Sequence, residues 1–162
     1  MQGKQIETVI LDVDGVLTDG MITYTSAGEE IKSFSVKDGM AINFLKKSGI
    51  RFIVVTGKIS IINEKRFAEL GVKELNQGIK DKVSCLSRLG IDYSKALYVG
   101  DDINDYFAMQ LCAYKSCPGD AVQKIKEIAD YVATAKGGKG AFREIAEHYF
   151  KINIFDIDTT KQ

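Results

Sequence analysis

Short apolar runs that do not alternate with polar residues recur along this chain, each followed by an amphipathic stretch. They fall at Thr8–Val13, Arg51–Thr56, Lys73–Asn76, Ala96–Gly100, Tyr114–Cys117 and Tyr131–Ala133. A strand that is apolar on both faces must be covered on both faces, as in a parallel sheet flanked by helices. Helical periodicity fits Gly39–Ser48, Ile59–Leu70, Lys80–Leu89, Asn104–Cys112, Ala121–Ile128 and Ala141–Phe150. Strand and helix in alternation predict an α/β fold with a doubly wound, Rossmann-like parallel sheet. One segment departs from the pattern. Gly20–Tyr24 and Glu30–Phe34 are strand-like pieces around Ser26-Ala27-Gly28, which predicts a β-hairpin over 20–34. The length of 162 residues suits one domain, placed at 1–150, and the tail at 151–162 has few anchors and is expected to be poorly ordered.

Composition excludes several functions. The formal net charge is zero, so nothing global draws the chain to nucleic acid or to an acidic membrane surface. No apolar run approaches the roughly 18 residues of a membrane span, and Met1–Thr8 has no signal-peptide core. Cys85, Cys112 and Cys117 have no CxxC spacing, which argues against a zinc site or a disulfide framework and fits a reducing cytoplasm.

The strand ends carry the chemistry. The first run drives into Asp12-Val-Asp14-Gly15. Residues i and i+2 of a strand point to the same side, so the two carboxylates can converge, and a bound cation would offset their repulsion. An EF-hand counted from Asp12 would need glycine and glutamate where Leu17 and Thr23 stand. The second run ends in Thr56-Gly57-Lys58, where a hydroxyl and backbone N–H groups before a helix can meet a phosphate. Lys82 opens a later helix, against the helix dipole. The fourth run ends in Gly100-Asp101-Asp102-Ile-Asn-Asp105, where Asp101 and Asp105 can face one site across a strand-to-helix turn.

Taken in order, the acid pair, the threonine, the lysine and the acid cluster resemble the four motifs of the haloacid-dehalogenase-like phosphohydrolases. The closer resemblance is to the small, capless 3-deoxy-D-manno-octulosonate (KDO) 8-phosphate phosphatases and their relatives acting on nine-carbon sialic-acid-type phosphates. It is carried by Asp12 to Gly20, Phe34 to Gly39, Gly78 to Lys82, Gly100 to Asp105 and Gly137 to Glu144. Residues 15–37 and 57–81 are too few for a folded cap domain. The resemblance implies a Mg²⁺-dependent phosphomonoesterase of lipopolysaccharide biosynthesis that works through an aspartyl-phosphate. It makes Asp12 the nucleophile and Asp14 the general acid and base, with Thr56 and Lys82 on the phosphoryl oxygens. Asp12, the backbone carbonyl of Asp14, and Asp101 would hold the metal, with Asp102 and Asp105 in support. Substrate contacts are implied for Ser35, Val36, Lys37, Asp38, Gly39, Asn43, Gly57, Lys58, Arg66, Lys136 and Lys139.

Three positions differ from the usual KDO 8-phosphate pattern: Lys58, Lys37 and Asn43 stand where arginine is common. Lysine does not reproduce arginine's fork on a carboxylate, so eight-carbon and nine-carbon sugar acids both stay open here. A phospho-receiver domain is the rival of another class. It is disfavoured because Lys82 precedes the second acid cluster and because Asp14 stands two residues after the nucleophile, where an ester leaving group needs a proton. The resemblance further implies a homotetramer with packed hairpins. The segment Lys136-Gly-Gly-Lys-Gly140 is expected to approach a ligand, because its glycines admit close backbone contact. Arg143, on the next helix, either adds charge to that site or pairs with Glu147.

Overall fold

The computed structural model describes residues 6–150; the expected loose tail at 151–162 lies outside them. Strands β1 (Thr8–Leu11), β4 (Arg51–Val55), β5 (Glu74–Asn76), β6 (Ala96–Val99), β7 (Tyr114–Cys117) and β8 (Tyr131–Val132) form one sheet in the order β5-β4-β1-β6-β7-β8. All its pairings are parallel. The expected hairpin is a separate antiparallel pair, β2 (Thr23–Tyr24) with β3 (Glu30–Ile31).

Period-two geometry divides the apolar strands between two cores. Val9, Leu11, Phe52, Val54, Leu97 and Val99 face helices α1 (Val36–Lys47), α2 (Ile61–Glu69) and α6 (Ala141–Phe150), through Ile42, Leu45, Phe67, Phe142 and Ile145. Ile10, Ile53, Val55 and Tyr98 face α3 (Lys82–Leu86), α4 (Tyr106–Leu111) and α5 (Gln123–Lys126), through Leu86, Ala108, Met109 and Ile125. That division explains why these runs show no alternation: both faces are interior. The strand order reverses between β1 and β6, and open α/β sheets place ligands outside the carboxyl ends of strands at such a switch point.

One boundary differs from expectation in a way that matters for the site. The helix predicted from Gly39 begins at Val36, with Ser35 as the extended N-cap residue. Gly39 is therefore inside a helix, where glycine costs about 1 kcal/mol relative to alanine. Its missing side chain makes room for Arg66, because a Cβ there would lie 2.5 Å from Arg66 Nη2.

Candidate active site

Asp12 directly follows β1, and its backbone N–H continues the sheet by donating to Val99 O at 3.0 Å. Asp101 follows β6, and Thr56 follows β4. Together with Asp14, Gly20, Gly57, Lys58, Asp102 and Asn104, these residues line one open cleft of about 280 Å³. Lys82, first residue of α3, reaches under it. Its Nζ lies 2.9 Å from Asp12 Oδ2 and 2.6 Å from Asp105 Oδ1, with Lys82 only 3% exposed and Asp12 5%. The lysine at the wrong end of a helix dipole is thus held by two buried carboxylates. Burial alone would depress the ammonium, but Asp12 and Asp105 more than offset it and hold its pKa above the usual lysine value.

The three acids of this cluster differ in what they have left to offer. Asp105 is saturated: Oδ1 accepts from Lys82 and from the Tyr98 hydroxyl at 2.7 Å, and Oδ2 accepts from the backbone N–H groups of Asp101 and Asp102. Asp12 Oδ1 accepts from Val13 N–H at 2.7 Å, and among the described residues Oδ2 meets only Lys82. Asp101 Oδ1 is buried with no partner among the described residues. Burial, then the Asp105 charge, pushes Asp12 up to about 7; burial, then Asp12 and Asp105, pushes Asp101 up to about 8. An orphaned carboxylate oxygen and two acids so short of positive charge fit a hard dication. Oxygens of Asp12, Asp101 and Asp105 lie within 4.8 Å of one another. An all-oxygen set suits Mg²⁺, and the saturation of Asp105 leaves Asp12 and Asp101 as the side chains that could hold it. Asp102 has another task, since its carboxylate caps the short turn Ile103–Asp105 by accepting from Ile103 N–H at 2.7 Å.

Gly15 makes the cluster possible. It has φ +89°, and a Cβ there would fall 1.9 Å from Asp101 Oδ2. A side chain at this position would strain the turn and displace the acid. Behind the same turn lies the glycine run of the C-terminal segment. A Cβ on Gly137 would sit 2.0 Å from Gly15 O, and one on Gly138, at φ +67°, 2.6 Å from Thr18 C. Gly138 N–H donates to Val16 O at 3.0 Å. Within one chain the glycines of this segment permit close approach to the backbone of the loop after β1. Lys136 and Lys139 are exposed, and Arg143 pairs with Glu147.

The expected substrate residues separate into groups. Gly57 and Lys58 line the cleft, and Lys58 is ion-paired with Glu30 of the hairpin. Ser35, Asp38, Gly39 and Arg66 line a second, small crevice with Phe34, where the Arg66 guanidinium lies 5.7 Å from the Phe34 ring centroid. Val36, Lys37 and Asn43 are exposed on α1. The Asp38 side chain is a correction. It is buried and turned inward, accepting from Arg143 N–H at 2.9 Å with the backbone N–H groups of Gly140 and Phe142 against it. It caps the first turn of α6, because four backbone donors there have no intrahelical partner. Burial holds its pKa above the ordinary aspartate value.

Two functional contacts escape inspection of the sequence. Tyr98 hides in an apolar strand, where only its hydroxyl, which must find a partner when buried, marks it. Lys32, just after β3, places its Nζ 2.8 and 3.0 Å from the two oxygens of Asp14.

Metal-free stability should fall with rising pH. A carboxylate whose folded pKa is raised binds more protons folded than unfolded. Stability is then fullest below the ordinary value of 3.8 and is lost as pH climbs toward about 7 for Asp12 and about 8 for Asp101. Mg²⁺ should therefore raise the unfolding temperature more at pH 8 than at pH 5. Thermal unfolding with and without Mg²⁺ checks this, and a metal-induced shift that is the same at both pH values would contradict the ligand assignment.

The model of the haloacid dehalogenase-like hydrolases matches residues 29–112. The chain is 37% identical over 161 residues to the KDO 8-phosphate phosphatase of Haemophilus influenzae, covering 94% of this chain and 89% of that one. It is 37% identical to the enzyme of the same name from Escherichia coli K12, over 90% of this chain and 80% of that one. The crystal structure of the KDO 8-phosphate phosphatase of Moraxella catarrhalis, in complex with magnesium, phosphate and KDO, superposes with a TM-score of 0.87 at 38% identity, covering 91% of this chain and 87% of that one. With the motif order, the parallel sheet and the acid cluster all in agreement, the chain belongs to the haloacid dehalogenase-like hydrolases and, among them, to the family of the KDO 8-phosphate phosphatases.

Proposed function

We propose that this chain hydrolyses KDO 8-phosphate to KDO and phosphate through a phosphoryl group carried on Asp12. The carrying observation is the Asp12–Lys82–Asp105 arrangement beneath a cleft that Asp14 and Thr56 also line. Asp12 attacks phosphorus, and the bond to the sugar oxygen breaks as Asp14 donates its proton to that oxygen. Asp14, now ionised, takes a proton from water, whose oxygen attacks phosphorus and returns Asp12 as a carboxylate. Lys82 keeps Asp12 oriented through Oδ2, and Thr56 offers a hydroxyl to the phosphoryl oxygens. A bound Mg²⁺, held by Asp12, Asp101 and the Asp14 carbonyl, would offset the charge of the phosphoryl group and keep Asp12 ionised at neutral pH.

Assembly belongs to the same proposal. The hairpin exposes Met21, Ile22, Tyr24 and Ile31, and a two-stranded ribbon alone is marginal in water. In one chain the cleft and the Arg66 crevice are separate. A homotetramer with packed hairpins would cover the apolar ribbon and let a neighbouring copy's Ser35, Val36, Lys37, Asn43, Lys136 and Lys139 flank the cleft. The absence, among the described residues, of any helix long and apolar enough to cross a membrane and the three free, buried cysteines support a cytoplasmic location. Light scattering should give four chains, and Ile22→Asp should reduce the assembly. A monomer at micromolar concentration would contradict this part of the proposal.

A panel of sugar phosphates tests the substrate. KDO 8-phosphate should give the highest kcat/KM with Mg²⁺, above nine-carbon 9-phosphates and well above glucose 6-phosphate. A nine-carbon acid at the top would move the assignment to that substrate, through Lys58 and Lys37. Glucose 6-phosphate equal to or above every sugar acid would reject the substrate class.

A further inference from the structure

Resting on the reading of Asp14 as the proton carrier, we infer that Lys32, at the base of the hairpin, is the positioning residue that aims this carboxylate, and that Asn63 fixes Lys32. The Lys32 side chain is 3% exposed, and lysine is almost never so buried unless it is paired. An ammonium has three donors, and all three are used: Asp14 Oδ1 at 2.8 Å, Asp14 Oδ2 at 3.0 Å and Asn63 Oδ1 at 3.2 Å. Lys32 therefore has no N–H left for a phosphate and does not act as a substrate ligand.

The grip selects one oxygen for the chemistry. Asp14 Oδ1 accepts both from Lys32 and from the Thr18 hydroxyl at 3.3 Å. Among the described residues, Oδ2 accepts from Lys32 alone. Each carboxylate oxygen has two lone-pair directions, so Oδ2 keeps the open one. Asp14 lines the cleft and its side chain is one-third exposed. Oδ2 is thus the atom that gives the proton to the leaving oxygen and takes one from water. When it is protonated, Oδ1 still holds the Lys32 contact and the orientation persists.

Lys32 is in turn held from α2. Asn63 is fully buried, and its Nδ2 donates to Gln77 Oε1 at 3.1 Å, which also accepts Ser60 N–H at 3.0 Å. A hydrogen-bonded line Asp14–Lys32–Asn63–Gln77 therefore joins the catalytic loop, the hairpin, α2 and the segment after β5. The hairpin has a second tie, since Glu30 meets Lys58 and accepts from the Ser60 hydroxyl at 2.7 Å. Removing Lys32 leaves that tie in place, so the loss of aim can be separated from loss of the hairpin.

The test uses leaving groups. Formation of the phosphoryl-enzyme from a sugar phosphate needs the Asp14 proton. From p-nitrophenyl phosphate it does not, because the phenolate leaves without protonation. kcat/KM reports this first step for both. Lys32→Met should lower kcat/KM for KDO 8-phosphate by about 100-fold, at the lower end of general acid contributions. That loss should exceed the one for p-nitrophenyl phosphate by at least about tenfold. Asp14→Asn should show the same discrimination, and Lys32→Met added to it should cost little more, since the two act as one unit. Asn63→Leu should discriminate in the same sense with a smaller loss, and it decides the matter where Lys32→Met does not fold. Equal losses on both substrates, or full additivity with Asp14→Asn, would overturn the positioning role. Asp14→Asn without discrimination would overturn the proton-carrier reading on which it rests.

Discussion

Asp12→Asn should lose more than about 10³-fold in kcat toward KDO 8-phosphate while the chain keeps its fold. The asparagine preserves shape and can still accept from Val13 N–H, as Asp12 Oδ1 does at 2.7 Å. It cannot carry a phosphoryl group, and it removes one of the two side-chain ligands assigned to the metal. The effect should therefore fall on the chemistry and not on the sheet, whose β1 pairs on both sides with β4 and β6. Steady-state assays with circular dichroism on the same samples check this. Activity within tenfold of the wild type, or full wild-type activity in excess EDTA, would remove Asp12 from its role or the metal from the reaction.

Lys82→Met should be the most destabilising single change in the site. It takes the shared ammonium from between two buried carboxylates, Asp12 at 2.9 Å and Asp105 at 2.6 Å. Removing one partner of a buried ionic cluster costs about 3–5 kcal/mol, because the charges left behind are neither hydrated nor paired. The loss should be smaller at pH 5 than at pH 7 in metal-free protein, since Asp12, with its pKa pushed up to about 7, is protonated at the lower pH and asks less of the lysine. Denaturant unfolding at the two pH values measures this. A variant within about 1 kcal/mol of the wild type at pH 7, or one hurt more at pH 5, would mean that the cluster is solvated and not buried.

What could be read from the chain follows how local each feature is. The sheet was legible because a strand buried on both faces leaves an unbroken apolar run, as at Ile53–Val55 and Ala96–Val99. The clustered acids of the candidate site were legible because they stand at the ends of such runs. Residues whose role depends on a partner far along the chain were not. Lys32 meets Asp14 across 18 positions, and the Asp38 carboxylate meets Arg143 N–H across 105. Neither spacing leaves a periodic or compositional trace. Asp38 misleads for a further reason: a carboxylate early in a helix looks available to a ligand, and only the packing of α6 against α1 turns it inward. The glycine run at 137–140 was legible as a site of close approach, but not what it approaches.

The proposed reaction turns on one covalent bond, between phosphorus and Asp12. Asp14→Asn removes the base that would clear it, so this variant, given Mg²⁺ and p-nitrophenyl phosphate, should accumulate the phosphoryl-enzyme. Rapid quenching, borohydride reduction of the acyl phosphate to an alcohol and peptide mapping should then find homoserine at position 12 and at no other aspartate. Homoserine at position 101 or 105, or release of one equivalent of p-nitrophenolate with no reduced aspartate anywhere, would contradict it.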